Sequence, residues 1–236
     1  MRLLTTTFAT LALLLAVPAF AESNPIANAG PNQTVSAGPN CQTTVTLDGT
    51  ASSDPDGDPL TFTWAGGFSE GNGITTGATP TVTLGSGVHN ILLVVDDGHG
   101  GLATSTVQIT VNDVTPPVIS GITANPATLW PPNHKMVSVT VMPNVTDNCD
   151  PNPVCKIISV TSNEPDTGNN KKFSPDFNIT GNLTVDLRAE RAGSGSGRIY
   201  TLTIQCTDKS GNSSTSTVDV TVPHDQGHSR KGMGQF

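Results

Sequence analysis

The most constraining feature of this sequence is residues 47–64, LDGTASSDPDGDPLTFTW, where an acidic turn separates two short runs of strand-forming residues. Pro55, Gly57 and Pro59 interrupt regular structure, whereas the alternating Thr and Phe residues before Trp64 favour a strand. Two strands joined by a turn that is rich in Pro, Gly and Asp are typical of an antiparallel sheet. The segment therefore predicts the corner of a β-sandwich, with Trp64 in its core.

Comparable strands and turns follow one another about every 8–12 residues along the rest of the chain. Aromatic residues account for 4% and charged residues for 13% of the 236 residues, while Thr, Ser, Gly, Pro, Asn and Val are abundant. No stretch after the N-terminus shows a helical period of apolar residues. We therefore predict an all-β protein made of two tandem immunoglobulin-like β-sandwiches.

An alternating apolar pattern ends each half of the chain, and proline follows each pattern. The two patterns are Val107, Ile109 and Val111, then Val218, Val220 and Val222. Each is typical of the last strand of a sandwich. The predicted domains accordingly cover residues 24–113 and 115–225, and the polar, glycine-rich residues 226–236 are expected to form a disordered tail.

Residues 1–21 have the features of a bacterial secretory signal. Arg2 supplies a positive charge, residues 11–17 form a short apolar core, and Ala19-Phe20-Ala21 is an A-x-A cleavage site. The apolar run is much shorter than the roughly 20 residues that span a bilayer. We expect an exported protein without a transmembrane segment, in the periplasm, on the cell surface or in the medium.

The net charge of −8 at pH 7 restricts the partners of this chain. An acidic surface repels phosphate backbones, so we expect no nucleic-acid partner. An extracellular protein or a polysaccharide is the expected partner. Calcium is the candidate cofactor, because carboxylate oxygens are its usual ligands.

The four cysteines, an even number in an exported chain, predict two disulfides. Cys155 and Cys206 fall on strands that neighbour each other in an immunoglobulin-like sheet, so they form a good pair. Cys41 and Cys149 then remain, and the sandwich topology places both near the ends of the two domains that face each other. The rival pairings are Cys149 with Cys155 or Cys149 with Cys206. Zinc is less favoured, because the spacing lacks paired C-x2-C motifs.

The first half resembles the PKD (polycystic kidney disease) domain in four places. These are PIANAG at residues 25–30, LDGTASSDPDGD at residues 47–58, Trp64, and VVDDG at residues 94–98. The chain departs from the resemblance after Trp64, where AGGF replaces the Asp-Phe-Gly-Asp-Gly turn of many PKD domains. The resemblance implies an extracellular module without catalytic activity.

The second half is similar to HYR (hyalin repeat) modules and related sandwiches that follow PKD domains in secreted bacterial proteins. The resemblance rests on LWPPNHKM at residues 129–136, TDNCD at residues 146–150 and CTDKSGN at residues 206–212. It implies a spacer, an adhesion unit or a binding accessory.

The first acidic turn offers one candidate calcium site. Asp54, Asp56 and Asp58 match positions 1, 3 and 5 of an EF-hand, but strands flank the turn, and the glycine and glutamate of that motif are missing. Sandwich topology instead brings Asp96 and Asp97 to the same end. Some PKD domains bind calcium near this turn, so the resemblance supports a site. The alternative is an Asx turn, in which aspartate side chains cap their own backbone.

The second half repeats this arrangement with Asp147, Asp150 and Asp208. The same topology predicts that Asn112 and Asp113 lie beside these three residues. Calcium there would stiffen a joint between the domains, as it does in cadherins.

Two other groups of side chains are candidates for binding. Trp130 is followed by PPNHK, and an exposed tryptophan beside polar groups can stack on a sugar ring; the alternative is packing over a sandwich edge. Arg188, Arg191 and Arg198 flank a glycine-serine stretch, and we expect their charges to be solvated.

No catalytic motif is recognisable, since the sequence lacks a G-x-S-x-G elbow and an H-E-x-x-H helix. We therefore expect a secreted, rod-like binding, adhesion or spacer protein that is not an enzyme and that calcium stiffens. One alternative is a carbohydrate-binding accessory that acts with secreted hydrolases, and a second is a small hydrolase without a known motif.

Overall fold

The computed structural model describes residues 22–165, 175–193 and 195–225. Within these residues the chain forms fourteen strands and one short 3-10 helix, Glu70–Asn72. The predicted signal at residues 1–21 and the predicted tail at residues 226–236 lie outside the described residues.

The strands of the first half are short at first and lengthen towards its end. They are β1 (Gln33–Ser36), β2 (Gln42–Thr46), β3 (Thr61–Ala65), β4 (Ile74–Thr76), β5 (Thr81–Gly85), β6 (Gly87–Asp96) and β7 (Leu102–Asn112). The strands of the second half are β8 (Val118–Asn125), β9 (Met136–Thr146), β10 (Val154–Ser162), β11 (Phe177–Gly181), β12 (Thr184–Arg188), β13 (Gly197–Thr207) and β14 (Ser213–Pro223).

The first seven strands form a five-stranded sheet in the order β1-β7-β6-β3-β4 and a two-stranded sheet of β2 and β5. Strand β1 runs parallel to β7, whereas β3 pairs antiparallel with both β4 and β6. Both sheets contribute buried side chains, including Val82 and Leu84 from β5 and Leu93 and Val95 from β6. Trp64 is fully buried, as predicted, and its indole N–H donates a 2.9 Å hydrogen bond to the carbonyl of Gly77.

The last seven strands form a four-stranded sheet in the order β11-β12-β9-β8 and a three-stranded sheet in the order β10-β13-β14. Alternate residues of both sheets face one core, which includes Val139, Val185 and Ile204. On β13, Tyr200 and the alternate residues up to Cys206 are fully buried and face this core. Burial of these apolar faces is what holds the two sheets together.

Two compact units emerge from the density of internal contacts. The first extends to Asn32 and includes Thr46–Val82 and Asn90–Gln108; the second comprises Gln33–Val45, Thr83–His89 and the chain from Ile109 onward. The long strands β6 and β7 each contribute one end to each unit.

The prediction of an all-β chain with immunoglobulin-like sandwiches is confirmed. None of the residues that the structure describes belongs to a helix long and apolar enough to cross a bilayer.

Candidate functional site

Aspartate side chains cap many of the turns of this chain. The carboxylates of Asp54, Asp96, Asp97 and Asp113 each accept a hydrogen bond, 2.7–3.1 Å long, from the backbone N–H two residues later. The same hydrogen bond occurs at Asp48, Asp147 and Asp150. These are Asx turns, the alternative that the sequence offered to metal binding, and they use one oxygen of most of these carboxylates.

The first acidic cluster, which we define as Glu22, Asp58 and His99, lies within the first compact unit. The imidazole Nδ1 of His99 lies 3.5 Å from Asp58 Oδ2 and 3.9 Å from Glu22 Oε1. The pKa of Glu22 is raised above its ordinary value. The largest cause is a hydrogen bond with Asp58, and burial and the negative charge of Asp58 contribute less. Glu22 therefore takes up a proton more readily than a free glutamate, and that proton competes with a cation for its oxygens.

The two loops predicted to meet at this end do meet, at Asp58 and His99. Asp54 accepts hydrogen bonds from the backbone N–H groups of Asp56 and Asp58, and Asp56 accepts one from the N–H of Ser23. The structure does not include Asp54, Asp56, Asp96 or Asp97 in the cluster.

The second acidic cluster, which we define as Asp113, Asp147 and Asp208, lies within the second compact unit. Each residue directly follows a strand, β7, β9 and β13 respectively. One oxygen from each carboxylate lies within 4.8 Å of the others. At an effective dielectric of about 20, two unit charges at that distance repel each other by about 3 kcal/mol, so this geometry favours a cation among them.

Local hydrogen bonds occupy part of this second cluster. Asp147 Oδ1 accepts hydrogen bonds from the N–H groups of Cys149 and Asp150, and both oxygens of Asp208 accept hydrogen bonds from Asn212. The Oδ2 atoms of Asp113 and Asp147 are buried and accept no hydrogen bond from the residues that the structure describes. Removing a carboxylate oxygen from solvent without such a bond is costly.

The carboxylate of Asp150 does not belong to this cluster. Asp150 is buried, but its Oδ1 accepts the N–H of Asn152 and lies 3.3 Å from the ammonium of Lys209, whose backbone N–H donates to Oδ2. The hydrogen bond from Asn152, and then the contacts with Lys209, outweigh burial and lower the pKa of Asp150. Asn112 ends β7 and lines a groove beside Asp113.

Both disulfides form in the structure. Cys155 and Cys206 lie directly opposite each other on β10 and β13, and Cys41 is bonded to Cys149 across 108 residues of sequence. The rival pairings of Cys149 therefore do not occur. The pair on the strands is buried, whereas Cys41 and Cys149 are partly exposed.

Trp130 is half exposed, at 45% of its surface, on a segment that the fold holds firmly. The preceding Leu129 is buried, and its N–H donates to the carbonyl of Thr221 at 2.8 Å. Further along, the N–H of His134 donates to the carbonyl of Ala189. A rigid backbone thus presents an exposed indole, which is the arrangement needed for stacking on a flat ligand.

A buried charged cluster in the second sandwich was missed by the sequence reasoning, which expected solvated arginines. That expectation is wrong for Arg188 and Arg198, of which only 9% and 1% are exposed. The guanidinium of Arg198 donates hydrogen bonds to the Asp176 carboxylate, the Tyr200 hydroxyl, the Glu164 carboxylate and the carbonyl of Pro165. Burial opposes its charge, but the hydrogen bonds to Tyr200 and Asp176 prevail and raise its pKa.

The buried charged cluster continues towards the Trp130 segment. Arg188 donates to the carbonyls of His134 and Pro175, and His134 Nδ1 lies 3.1 Å from the buried carboxylate of Glu190. Because every nitrogen of the Arg198 guanidinium already has an acceptor, this cluster stabilises the fold and leaves that side chain little capacity for a ligand.

Residues 22–111 match the family model described as the PKD domain. That segment therefore has a PKD, immunoglobulin-like fold. The match ends just before Asp113, so it includes the first acidic cluster and none of the second.

Solved structures similar to the chain include tandem immunoglobulin-like domains. Sidekick-1 immunoglobulin domains 1–4 are 12% identical with a TM-score of 0.41, over 86% of this chain and 50% of that one. The human desmocollin-1 ectodomain is 19% identical with a TM-score of 0.33, over 90% of this chain and 39% of that one. A nucleoside hydrolase-related hypothetical protein from Saccharophagus degradans is 24% identical with a TM-score of 0.32, over 39% and 26%.

The chain thus spans half or less of the length of these three proteins. No curated protein is significantly similar to it.

Proposed function

We propose that this protein is a secreted, non-catalytic spacer or adhesion module that calcium stiffens. The observation that carries the proposal is the disulfide between Cys41 and Cys149. Cys41 belongs to the segment that matches the PKD domain, and Cys149 belongs to the chain that follows it. A covalent bond between the two segments keeps the intervening chain from being pulled out, which suits a protein that transmits or bears tension.

The cysteine chemistry supports the proposed location. Four cysteines form two disulfides, and disulfides persist where the environment is oxidising, as in the periplasm and outside the cell. The PKD match and the predicted secretory signal at residues 1–21 agree with export from a bacterial cell.

Pulling a single molecule from its two ends tests the proposal directly. The 108 residues between Cys41 and Cys149 correspond to about 370 Å of extended chain, at about 3.4 Å per residue. We expect this length to stay hidden when the oxidised protein unfolds, and to be released in the Cys41→Ser/Cys149→Ser variant. The matched control, Cys155→Ser/Cys206→Ser, should release only the shorter length between residues that are 51 apart.

Two results would contradict this function. One is an oxidised protein that extends to the full length expected for a chain without the disulfide between Cys41 and Cys149. The other is turnover of a polysaccharide, peptide or nucleoside that remains constant through purification and is lost in a single-residue variant of this chain.

A second candidate function, a carbohydrate-binding accessory, is favoured by the exposed indole of Trp130 on its rigid segment. Binding to a glycan array that Trp130→Ala abolishes and Trp130→Phe partly retains would support it, because stacking needs an aromatic ring. Met136→Ala is the control, since Met136 is similarly exposed and ends the same segment. Equal binding by all of these variants would exclude a role for Trp130.

A further inference from the structure

The second acidic cluster is built where three strands end. Asp113, Asp147 and Asp208 directly follow β7, β9 and β13, so the strands themselves bring the carboxylates together. Asn212 links two of them: its side-chain amide donates to the carbonyl of Asp113 at 3.2 Å and to Asp208 Oδ2 at 2.9 Å. The cluster is therefore held by the fold rather than by flexible surface side chains.

Buried oxygens without a partner indicate that this cluster binds a ligand. Asp113 is 92% buried, and its Oδ2 accepts no hydrogen bond; the buried Oδ2 of Asp147 is in the same condition. Among the residues that the structure describes, no lysine, arginine or histidine forms an ion pair with any of the three carboxylates. Three carboxylates in this arrangement need a positive charge that the described protein atoms do not supply.

The ligand class follows from the donor atoms. All three side chains offer oxygen, and neither sulfur nor imidazole takes part, so the cluster favours a hard divalent cation over zinc or copper. A groove of about 540 Å³ lined by Asn112, Asp113, Val114 and Ser210, among others, opens beside it. Water from the groove can complete the six to eight oxygen ligands that Ca²⁺ takes.

The disulfide of Cys41 is tied to the same cluster. Cys149 donates its N–H to Asp147 Oδ1 at 2.8 Å, and the neighbouring Asn148 donates its side-chain N–H to the carbonyl of Gly38 at 3.0 Å. Cys41 also donates its N–H to Gly38, at 3.0 Å. The disulfide and these hydrogen bonds hold the turn that positions Asp147.

We propose that Asp113, Asp147 and Asp208 bind one Ca²⁺ ion, and that the disulfide between Cys41 and Cys149 strengthens this binding. The inference rests on the calcium dependence proposed above and assigns it to one site. Reduction removes the constraint: a dithiol delivers two electrons, the S–S bond breaks, Cys41 and Cys149 each end as a thiol, and the reagent is oxidised to its own disulfide.

Accessibility makes this disulfide the one that a reductant reaches first. Cys41 and Cys149 are partly exposed, while Cys155 and Cys206 are 8% and 0% exposed. Linkage between the two equilibria is reciprocal. Bound calcium must therefore lower the equilibrium constant for reduction of the accessible disulfide by the same factor by which this disulfide raises the affinity for calcium.

Calorimetric titration of the full chain, freed of metal with EDTA, tests the assignment with CaCl₂. We expect Asp147→Asn to weaken calcium binding at least tenfold or to abolish one binding event, whereas the amide can keep the turn because its oxygen still accepts the N–H of Cys149. Asp58→Asn, in the first acidic cluster, is the matched control and should leave this event in place. Magnesium should bind at least tenfold more weakly than calcium, because it requires a more regular, water-rich shell.

Circular dichroism and melting in EDTA must show that each variant is folded. The assignment is wrong if folded Asp147→Asn binds calcium as tightly as the unmodified protein does. It is also wrong if only Asp58→Asn loses calcium binding. In that second case the proposed calcium dependence remains supported, but the calcium site is in the first acidic cluster. If no variant and no unmodified protein binds calcium, calcium stiffening falls too, while the hidden length in the pulling experiment still tests the spacer.

The redox part has its own measurement. In Cys41→Ser/Cys149→Ser, which keeps the buried disulfide, we expect the calcium Kd to rise about tenfold. In mixtures of reduced and oxidised dithiothreitol, read out by alkylation and mass spectrometry, the equilibrium constant for reduction of this disulfide should fall about tenfold in saturating calcium. A Kd and a reduction equilibrium constant that both change less than twofold would refute the coupling.

Discussion

At the scale of single residues, aspartate serves mainly to shape turns in this protein. Asp54, Asp96 and Asp113 each accept a backbone N–H two residues later, and such an interaction needs only one carboxylate oxygen. The second oxygen decides whether the residue has another role. In Asp54, Asp97, Asp113 and Asp147 that oxygen is buried and accepts no hydrogen bond from the residues that the structure describes. Of these four, only Asp113 and Asp147 also belong to a group of three close carboxylates.

Tyr200 allows a direct measurement of the buried charged cluster, because it is the only tyrosine of the sequence. Burial raises its pKa above the ordinary value of 10, although the hydrogen bond from Arg198 acts in the opposite direction. The contribution of neutral Tyr200 to the free energy of unfolding is therefore complete below pH 10, and it is lost as the pH rises through the raised pKa of the folded protein. We expect tyrosinate absorbance near 295 nm to appear only above the range of free tyrosine, together with unfolding.

The control for that titration is the protein in denaturant, where the absorbance should change near pH 10. Ionisation of the folded protein at pH 10 without loss of its circular dichroism signal would show that Tyr200 is accessible to solvent.

Asp150 predicts a pH effect at the acidic end. Its pKa is lowered from 3.8, first by the N–H of Asn152 and then by Lys209, so its stabilisation is present above pH 3.8 and is lost as the pH falls through the lower value. We expect Asp150→Asn to lower the melting temperature at pH 7, and this difference to shrink below about pH 3.8. Asp186→Asn on β12 is the control, and a difference independent of pH would contradict the prediction.

At the scale of elements, β13 connects most of what holds the second sandwich together. Its inward side carries apolar residues and the disulfide to β10, and the start of the strand carries Arg198 on the same side. The turn after it needs Gly211, whose φ of 93° lies in the left-handed region, so that Asn212 can return to Asp208. One strand thus contributes to the core, the charged cluster and the second acidic cluster.

Removing the buried disulfide should therefore weaken this sandwich. Cys155→Ala/Cys206→Ala opens a loop of 51 residues and removes two buried side chains, and we expect a loss of about 2–5 kcal/mol in the free energy of unfolding. Urea denaturation followed by circular dichroism measures the loss. The prediction would be wrong if the variant lost less than about 1 kcal/mol.

At the scale of the whole molecule, one covalent bond closes the longest loop. The bond between Cys41 and Cys149 encloses 108 residues, and a loop of that size restricts the unfolded chain by about 4–5 kcal/mol in the chain-entropy model. Calcium at the adjacent cluster would act by another route, since a ligand stabilises the folded state in proportion to the logarithm of its concentration.

Calcium should consequently raise the melting temperature of the oxidised chain. At a concentration about 100-fold above the Kd, a single site contributes about 2.7 kcal/mol, or roughly 5–10 °C for a protein of this size. Differential scanning calorimetry in calcium and in EDTA measures the shift. Equal melting temperatures in the two buffers would argue against the calcium part of the proposed function.

The sequence by itself determined what depends on near neighbours. Alternation of Val218, Val220 and Val222 predicted the last strand, because successive side chains of a strand point to opposite sides. On β13 the same rule places Arg198 on the face of Tyr200, so the burial of Arg198 could have been predicted. Pro, Gly and Asp placed the turns, and the even count of cysteines predicted two disulfides.

Only the tertiary structure decided how distant groups are buried and paired. Sandwich topology predicted that Asp113 lies beside Asp147 and Asp208, but it did not predict that Asp113 and Asp208 are buried. The sequence also did not show that the carboxylate of Asp150 contacts Lys209 instead of joining that group. Spacing in a sequence shows which side chains share a strand face or a turn, whereas burial, spare hydrogen-bonding capacity and mutual distance arise only when segments pack in three dimensions.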